Sequence, residues 1–306
     1  MGSTSSFSTS MLSIHLLNGH DTVYEPEEDL NGTVQFLTDI YPIDDILIQF
    51  TGELVYTSYE RKGQSTITTN RQVPFLVRTI HHKTSEKNQY QFSFQLNSSL
   101  PASFEQLNPQ GPYIHYFLRI RSLNHQFKQD FPILIKRPTQ ILLGHVQQIQ
   151  NQPLNNVQVN VTLENNLGLI GQNLPFQIDL HNPNSRTIDR ISLKLIQIRK
   201  LGPVKEERTV LLKEDLIHFD KFKGEHYNGK FHINIPYEIN PTCSYHLPNQ
   251  WFIFVHYELY IKVHRRGFSK NPSLSIPILI NYQNDLTSLP KSDSILLDTP
   301  HSQSLS

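Results

Sequence analysis

Histidines and a lone cysteine are the residues of this chain best suited to metal binding or nucleophilic chemistry, with fifteen histidines among 306 residues. His81 and His82 are adjacent, and neighbouring residues of a β-strand point to opposite faces, so regular backbone does not bring both to one ion. No H-E-x-x-H spacing is present, and Cys243 alone cannot form a cysteine zinc cluster. The sequence therefore predicts no metal site, and a metal-binding protein or an enzyme stays open only as an alternative of another class.

Enzyme motifs and a nucleic-acid-binding charge pattern are also missing from the sequence. It has no G-x-S-x-G elbow, P-loop or G-x-G-x-x-G segment, and its 27 basic residues balance 27 acidic ones. A single cysteine rules out an internal disulfide framework and fits a reducing compartment. No apolar run approaches the ~20 residues of a membrane span. These features predict a cytosolic, non-enzymatic protein that needs no cofactor and does not bind nucleic acid.

Apolar residues alternate with polar ones along most of the chain, as they do in half-buried β-strands. Ile46, Ile48 and Phe50 follow this period of two, and so do Leu193 and Leu195. Turn residues separate the alternating segments at short intervals, and no long segment has a helical period. The pattern predicts an all-β fold built as a sandwich or barrel.

Three segments occur twice in the same order. The second copies follow the first by 145, 141 and 145 positions, and a near-constant offset of this length fits two copies of one domain. Because a histidine occupies the same place in both copies of the second segment, we expect it to have a packing or hydrogen-bonding role. The pairs are Ile43–Ile46 with Ile188–Ile191, Ile114–Ile120 with Val255–Ile261, and Phe131–Ile135 with Ile276–Ile280.

The duplication predicts a division of the chain into two sandwiches of similar size. An amide-rich stretch with one proline, residues 147–156, separates the two sets of strand patterns and is predicted to be a linker. The predicted order is a disordered leader (1–11), an N-terminal sandwich (12–146), the linker (147–156), a C-terminal sandwich (157–285) and a flexible tail (286–306).

Several motifs of the chain resemble the arrestin superfamily, most closely the arrestin-domain-containing proteins (α-arrestins). Val23–Val34 is similar to the family's Y-x-P-G-E opening, although Glu27 stands where glycine is usual. Tyr90–Phe104 resembles its F-x-F-x-L-P-x-x-L-P-x-S-F segment, with Asn97 replacing the first proline. Further matching segments are Ile46–Glu53, Gly171–Pro175, Val255–Val263 and Leu274–Ile278.

This resemblance implies two arrestin-like, immunoglobulin-type β-sandwich domains joined by a short hinge. It also implies a cytoplasmic adaptor, peripherally associated with the plasma membrane or endosomes, that binds transmembrane cargo proteins or receptors and links them to coat or sorting proteins. A constitutive sorting subunit, like the arrestin-like component of retromer, is the alternative within adaptors. The family's P-P-x-Y motif, which recruits ubiquitin ligases, is absent from this sequence, which argues against direct ligase recruitment and leaves a link to ubiquitination open.

The polar segment Thr57–Pro74 is predicted to be a long exposed loop, matching the loop that arrestins point at receptors. Its cations could bind acidic or phosphorylated cargo through charge-assisted hydrogen bonds. An ordinary solvated loop is the alternative. The candidate cargo-binding residues are Arg61, Lys62, Arg71 and Arg78.

Basic residues of the second half form a candidate membrane-facing surface. Arg265 and Arg266 lie in a predicted turn, and Lys221, Lys223 and Lys230 add positive charge. Such a patch would attract anionic lipids, although screening weakens a small patch on its own.

Three short segments carry further predicted features. Gly2 fits the M-G-x-x-x-[ST] myristoylation pattern, with a disordered Ser/Thr-rich leader as the alternative. Leu216, Ile217, Phe219 and Asp220 fit a clathrin-box pattern, with an ordinary strand as the alternative. The tail segment Ser292–Asp298 is predicted either to be disordered or to add a strand to a sandwich edge.

Overall fold

The computed structural model describes residues 4–8, 12–17, 23–37, 45–83, 88–122, 127–136, 142–151, 157–247, 250–266 and 270–282. All regular secondary structure in these ranges is β-strand, which confirms the all-β prediction. None of the described segments forms a helix of sufficient length and apolarity to cross a membrane.

The first half of the chain forms two sheets. One has the strand order β1-β2-β4-β7, and the other has the order β3-β9-β8-β5-β6, in which β3 and β9 run parallel. The strands are β1 (Thr4–Ser8), β2 (Leu12–Leu17), β3 (Val23–Tyr24), β4 (Asp29–Phe36), β5 (Ile46–Lys62), β6 (Ser65–His82), β7 (Gln89–Gln95), β8 (Tyr113–Ser122) and β9 (Lys128–Ile135).

The second half also forms two sheets. Their orders are β10-β11-β13-β16 and β12-β19-β18-β14-β15, with β17 paired to β18, and β12 runs parallel to β19. The strands are β10 (Gln147–Gln150), β11 (Gln158–Leu163), β12 (Leu167–Leu169), β13 (Asn173–His181), β14 (Ile188–Leu201), β15 (Glu207–Phe222), β16 (His226–Asn234), β17 (Cys243–His246), β18 (Phe252–Arg265) and β19 (Ser273–Asn281).

The two halves repeat each other in topology and in register. Each strand of the first half has a counterpart in the same place of the second half, and β17 is the one described strand of the second half without a counterpart. Ile48 pairs with Ile120 in the first half, and their counterparts Leu193 and Ile261 pair in the second, at the offsets of 145 and 141 found in the sequence. The predicted duplication is therefore present in the strand pairing itself.

Each half buries a core between its two sheets, and equivalent tyrosines have the same role in both. Tyr116 and Tyr257 are 1% exposed, and their hydroxyls donate to the backbone carbonyls of Pro101 and Asn240 respectively. Burial raises the pKa of Tyr116 well above its usual range. A buried phenol needs such a partner, because an unpaired hydroxyl costs free energy.

The histidines that precede these tyrosines lie on the outer face. His115 Nε2 is 3.3 Å from Glu53 Oε2, and His256 is exposed and stacks on Phe254 at 4.6 Å. The hydrogen-bonding and packing contacts expected of His115 and His256 are therefore at the surface, whereas the tyrosines pack in the core.

Two segments differ from the predicted division of the chain. Within the predicted disordered leader, Thr4–Ser8 forms β1 and pairs with β2, and within the predicted linker, Gln147–Gln150 forms β10 and pairs with β11. Neither strand was predicted, and the reason is the same for both. These are polar edge strands, which gain backbone hydrogen bonds from a neighbouring strand without a marked apolar alternation of their own.

Candidate protein-interaction surface

The hairpin of β5 and β6 extends well beyond the sheet to which it belongs. β8 pairs with β5 only from Ile46 to Val55, whereas β5 continues to Lys62 and stays paired with β6 to the turn. Residues 56–71 therefore form a two-stranded projection, here called the arm. Gly63 at its tip has a φ of +63° with no atom near its missing Cβ, a conformation that glycine adopts without strain.

Polar cross-strand contacts hold the arm together. Thr57 Oγ1 donates to Asn70 Oδ1 at 3.0 Å, and Arg71 Nη2 donates to Glu60 Oε1 at 3.1 Å while its Nε reaches Ser58 Oγ at 3.4 Å. Most arm side chains are exposed. The arm thus offers hydroxyls, amides and cations on an extended backbone, with Tyr59 and Ile67 as its exposed large apolar side chains.

The prediction of a loop at Thr57–Pro74 was wrong in its secondary structure, because this segment is a hairpin. Arg61 and Lys62 are exposed at the tip, and Arg71 is half-exposed and paired with Glu60. The structure therefore places three of the four candidate cargo-binding residues on the arm, Arg61 and Lys62 at its tip and Arg71 at its base.

Arg78 lies apart from the other three candidates. It is on β6 opposite Phe50, within the body of the sheet, and its guanidinium donates to the backbone carbonyl of Gln95. Because Gln95 ends β7, this bond ties one sheet of the first sandwich to the other. Arg78 has a structural contact and is not part of the arm.

Arg199 joins the two halves near the base of the arm. Its side chain, on β14 of the second half, is 1% exposed and donates twice to Glu207 Oε2, at 3.0 and 2.7 Å. It also donates to the backbone carbonyls of Glu105 and Pro112 in the first half, at 2.9 and 3.2 Å. One guanidinium therefore bridges a carboxylate of its own domain and two backbone carbonyls of the other.

Close packing continues this contact between the halves. A Cβ on Gly202, which has a φ of +73°, would lie 2.3 Å from Leu54 Cδ2, so only glycine lets this turn approach the first half so closely. The Trp251 ring packs edge-on against Tyr56 with 6.0 Å between centroids. Leu54 is the position in the first half that corresponds to Arg199, so equivalent ends of the two halves meet.

A groove of about 910 Å³ lies between the halves at the base of the arm. Arm residues 56–59 form one wall, and residues 203–205 with Glu207 form the other. Tyr59, which is 57% exposed, donates from its hydroxyl to Gln110 Oε1 at 2.6 Å. Sequence motifs give no sign of this groove, because its two walls are 144 or more positions apart (203 − 59 = 144).

The membrane-facing prediction fails for one of its two arginines. Arg265 is 7% exposed, and its side chain folds over its own turn to donate to the carbonyl of Lys270. Burial, and then the charge of Arg186, lowers the pKa of Arg265. Arg266 is exposed, so only this arginine remains available to a membrane surface.

The clathrin-box pattern lies within β15. Leu216, Ile217 and Phe219 are partly buried against the core, and Phe219 packs on Phe222 at 5.0 Å between centroids. The structure therefore favours the alternative of an ordinary strand. The side chain of Asp220 lies outside the described residues, as do Gly2 and Ser292–Asp298.

Comparison with known families supports the resemblance. Residues 154–285 match the family described as arrestin (or S-antigen), C-terminal domain. The chain carries an arrestin C-terminal domain. The arrestin match spans all described strands from β11 to β19, and the first half, outside the matched range, repeats their topology. No curated protein sequence matches the chain.

The arrestin C-terminal domain is typical of a family of trafficking and signalling adaptors, whose members are generally not enzymes. The family match does not separate the α-arrestins from other arrestin-domain proteins, so that subtype stays a prediction.

Proposed function

We propose that this arrestin-domain chain is an adaptor that binds cytosolic segments of membrane-protein cargo and links them to endocytic or endosomal sorting. The family supports the adaptor role, and the observation that carries the cargo-binding step is the projecting arm with its cations at the tip. Arg61 and Lys62 are exposed, and neither forms an ion pair with a residue in the described ranges. Both cations are therefore available to a ligand.

The chemistry of the arm favours an acidic or phosphorylated peptide as the ligand. Arginine and lysine bind carboxylates and phosphates through charge-assisted hydrogen bonds. β6 is the last strand of its sheet, so its outer edge can also pair with an extended peptide. Because the tip is fully solvated, binding should weaken as salt is raised.

The peripheral membrane association is part of the same proposal. Cargo binding would hold the chain at the plasma membrane or at endosomes, and Arg266, together with Gly2 if it is myristoylated, would add modest membrane affinity. A single myristoyl chain gives only marginal and reversible binding. Recruitment of a ubiquitin ligase would need a route other than P-P-x-Y, since the sequence lacks that motif.

Proximity labelling in cells tests the adaptor role. The chain should label transmembrane proteins and coat or sorting components, and a triple reversal of Arg61, Lys62 and Arg71 to glutamate should reduce the labelling of transmembrane proteins. The matched control reverses three exposed lysines outside the arm and outside the candidate membrane-facing surface, and it should label as the unaltered chain does. Labelling of soluble metabolic enzymes alone would contradict the adaptor role, and equal labelling by both variants would contradict the role of the arm. The control lysines are Lys128, Lys136 and Lys213.

A further inference from the structure

Two histidines meet at one end of the sheet β10-β11-β13-β16, far from the arm in sequence. His181 is the last residue of β13 and His226 is the first residue of β16, and the two are direct cross-strand partners. Their imidazole rings stack with centroids 4.6 Å apart and an interplanar angle of 4°. Both residues lie on the outer face of the sheet, and neither contributes to the core.

Glu225 completes a group of three potential metal ligands. Its Oε1 lies 3.6 Å from His181 Nε2 and 3.5 Å from His226 Nε2, and one donor atom from each of the three residues lies within 4.8 Å of the other two. A tetrahedral zinc ion with bonds of 2.0–2.1 Å holds its ligand atoms roughly 3.4 Å apart. The carboxylate is therefore already at the required spacing, and small rotations of exposed imidazoles would complete the site.

A buried asparagine fixes the backbone that carries these three residues. Asn182, which is 0% exposed, donates from its backbone N–H to the carbonyl of Glu225 at 2.7 Å and from Nδ2 to the carbonyl of Gly224 at 3.1 Å. Its Oδ1 accepts the N–H of Arg186 at 3.0 Å. His181 and the segment before β16 are thus held together whether or not an ion is bound, which reduces the entropic cost of assembling a site.

We propose that His181, Glu225 and His226 form a binding site for a divalent transition-metal ion, with Zn²⁺ as the best fit. Two imidazoles with one carboxylate suit zinc, nickel or copper, whereas magnesium and calcium prefer all-oxygen ligands. The other coordination positions face solvent and are open to water or to a side chain of a partner. Sequence spacing gave no sign of this site, because the sheet brings His181 to Glu225 from 44 positions away. The proposal does not depend on the adaptor role.

Calorimetric titration of the full chain with zinc chloride, after removal of metal by a chelator, tests the site. One saturable equivalent is expected, and zinc should raise the melting temperature. His181→Ala and His226→Ala should each weaken binding by more than about tenfold, because each removes one of only three protein ligands. His232→Ala is the matched control, since His232 is exposed on the same face of β16 and should leave the affinity unchanged.

The outcomes separate this site from adventitious binding to other histidines. The proposal is supported if the His181→Ala/His226→Ala double variant no longer binds the one equivalent of zinc and its melting temperature in chelator is unchanged. Glu225→Gln, which keeps both rings, gives a second test and should weaken binding without affecting folding. Wild-type affinity in the double variant, or no saturable binding by the unaltered chain below about 100 µM zinc, would overturn the proposal.

Discussion

Replacing Arg199 with methionine should weaken the association of the two sandwiches. The arginine is 1% exposed and makes four hydrogen bonds, two to Glu207 and two to backbone carbonyls of the first half. Methionine retains much of the apolar volume but donates no hydrogen bond. The substitution therefore leaves two carbonyls and one carboxylate without their donor.

The size of the effect follows from burial. Breaking a buried ion pair costs about 3–5 kcal/mol, but Glu207 keeps 20% of its side chain exposed and can regain water, so we expect about 3 kcal/mol. Arg119→Met is the matched control. Arg119 makes two bonds to Asp130 at 2.7 and 2.8 Å, with side chains 23% and 40% exposed. Losing this more exposed pair should cost about 1 kcal/mol or less.

Urea unfolding followed by tryptophan fluorescence measures both variants. Trp251 is the only tryptophan and packs against Tyr56 across the contact between the halves, so its emission reports on their association. Arg199→Met should lower the unfolding midpoint and shift the emission of Trp251 at low urea, whereas Arg119→Met should leave that emission unchanged. Equal midpoints for the two variants, or an unaltered emission in Arg199→Met, would refute the bridging role of this arginine.

Three further predictions concern the sandwiches themselves. Tyr116→Phe should lower stability by about 1 kcal/mol in calorimetry, and Tyr257→Phe by more, because Gln197 Nε2 also donates to the Tyr257 hydroxyl at 2.8 Å; equal losses would contradict this. Burial, with the charge of a nearby glutamate, raises the pKa of Tyr24 to about 12, so the folded state favours the neutral phenol. The stabilisation that results from this raised pKa is complete below about pH 10 and is lost as the pH rises towards 12. Because phenylalanine does not ionise, Tyr24→Phe should reduce the fall in melting temperature over that range. Glu27 has a φ of +74°, so Glu27→Gly should raise stability by about 0.5–1 kcal/mol, and a loss would count against strain there.

The fold could be predicted because the sequence patterns that specify it are local and occur twice. The pairing of Tyr116 with Ile133 in the first half recurs as the pairing of Tyr257 with Ile278 in the second. The two residues of the pair recur at the offsets of 141 and 145 positions that the sequence shows. Alternation within each strand fixes which side chains face the core, and a one-residue slip would reverse them all. Duplication and alternation together were therefore sufficient to predict the two sandwiches.

Polar strands could not be predicted in the same way. The arm has no marked apolar alternation, so its sequence is typical of a loop, although Thr57 and Asn70 pair across it. β1 and β10 were missed for the same reason. In such segments the backbone pairing with a neighbouring strand determines the structure. The residue pattern of the segment alone does not indicate which strand that neighbour is.

The residues that join distant segments could not be identified from the sequence. Arg199 looks like an ordinary polar residue of an alternating strand, and its carbonyl partner at Glu105 is 94 positions away. Arg265 looks like an exposed turn residue, yet its side chain folds inward. Exposure could be predicted where the residue type alone determines it. Arg61 and Lys62, for example, were expected to be exposed and lie at the tip of the arm.

Photo-crosslinking from the arm tests the proposed cargo contact most directly. A photoreactive amino acid would replace Gln64, beside the glycine at the tip, and a control would carry it at Gln91, an exposed position of β7 on the other sheet of the same sandwich. We expect ultraviolet irradiation of cells to join transmembrane proteins to the chain from position 64, and far fewer from position 91. Equal crosslinking from the two positions, or products from position 64 that contain only soluble proteins, would contradict the proposal that the arm binds cargo.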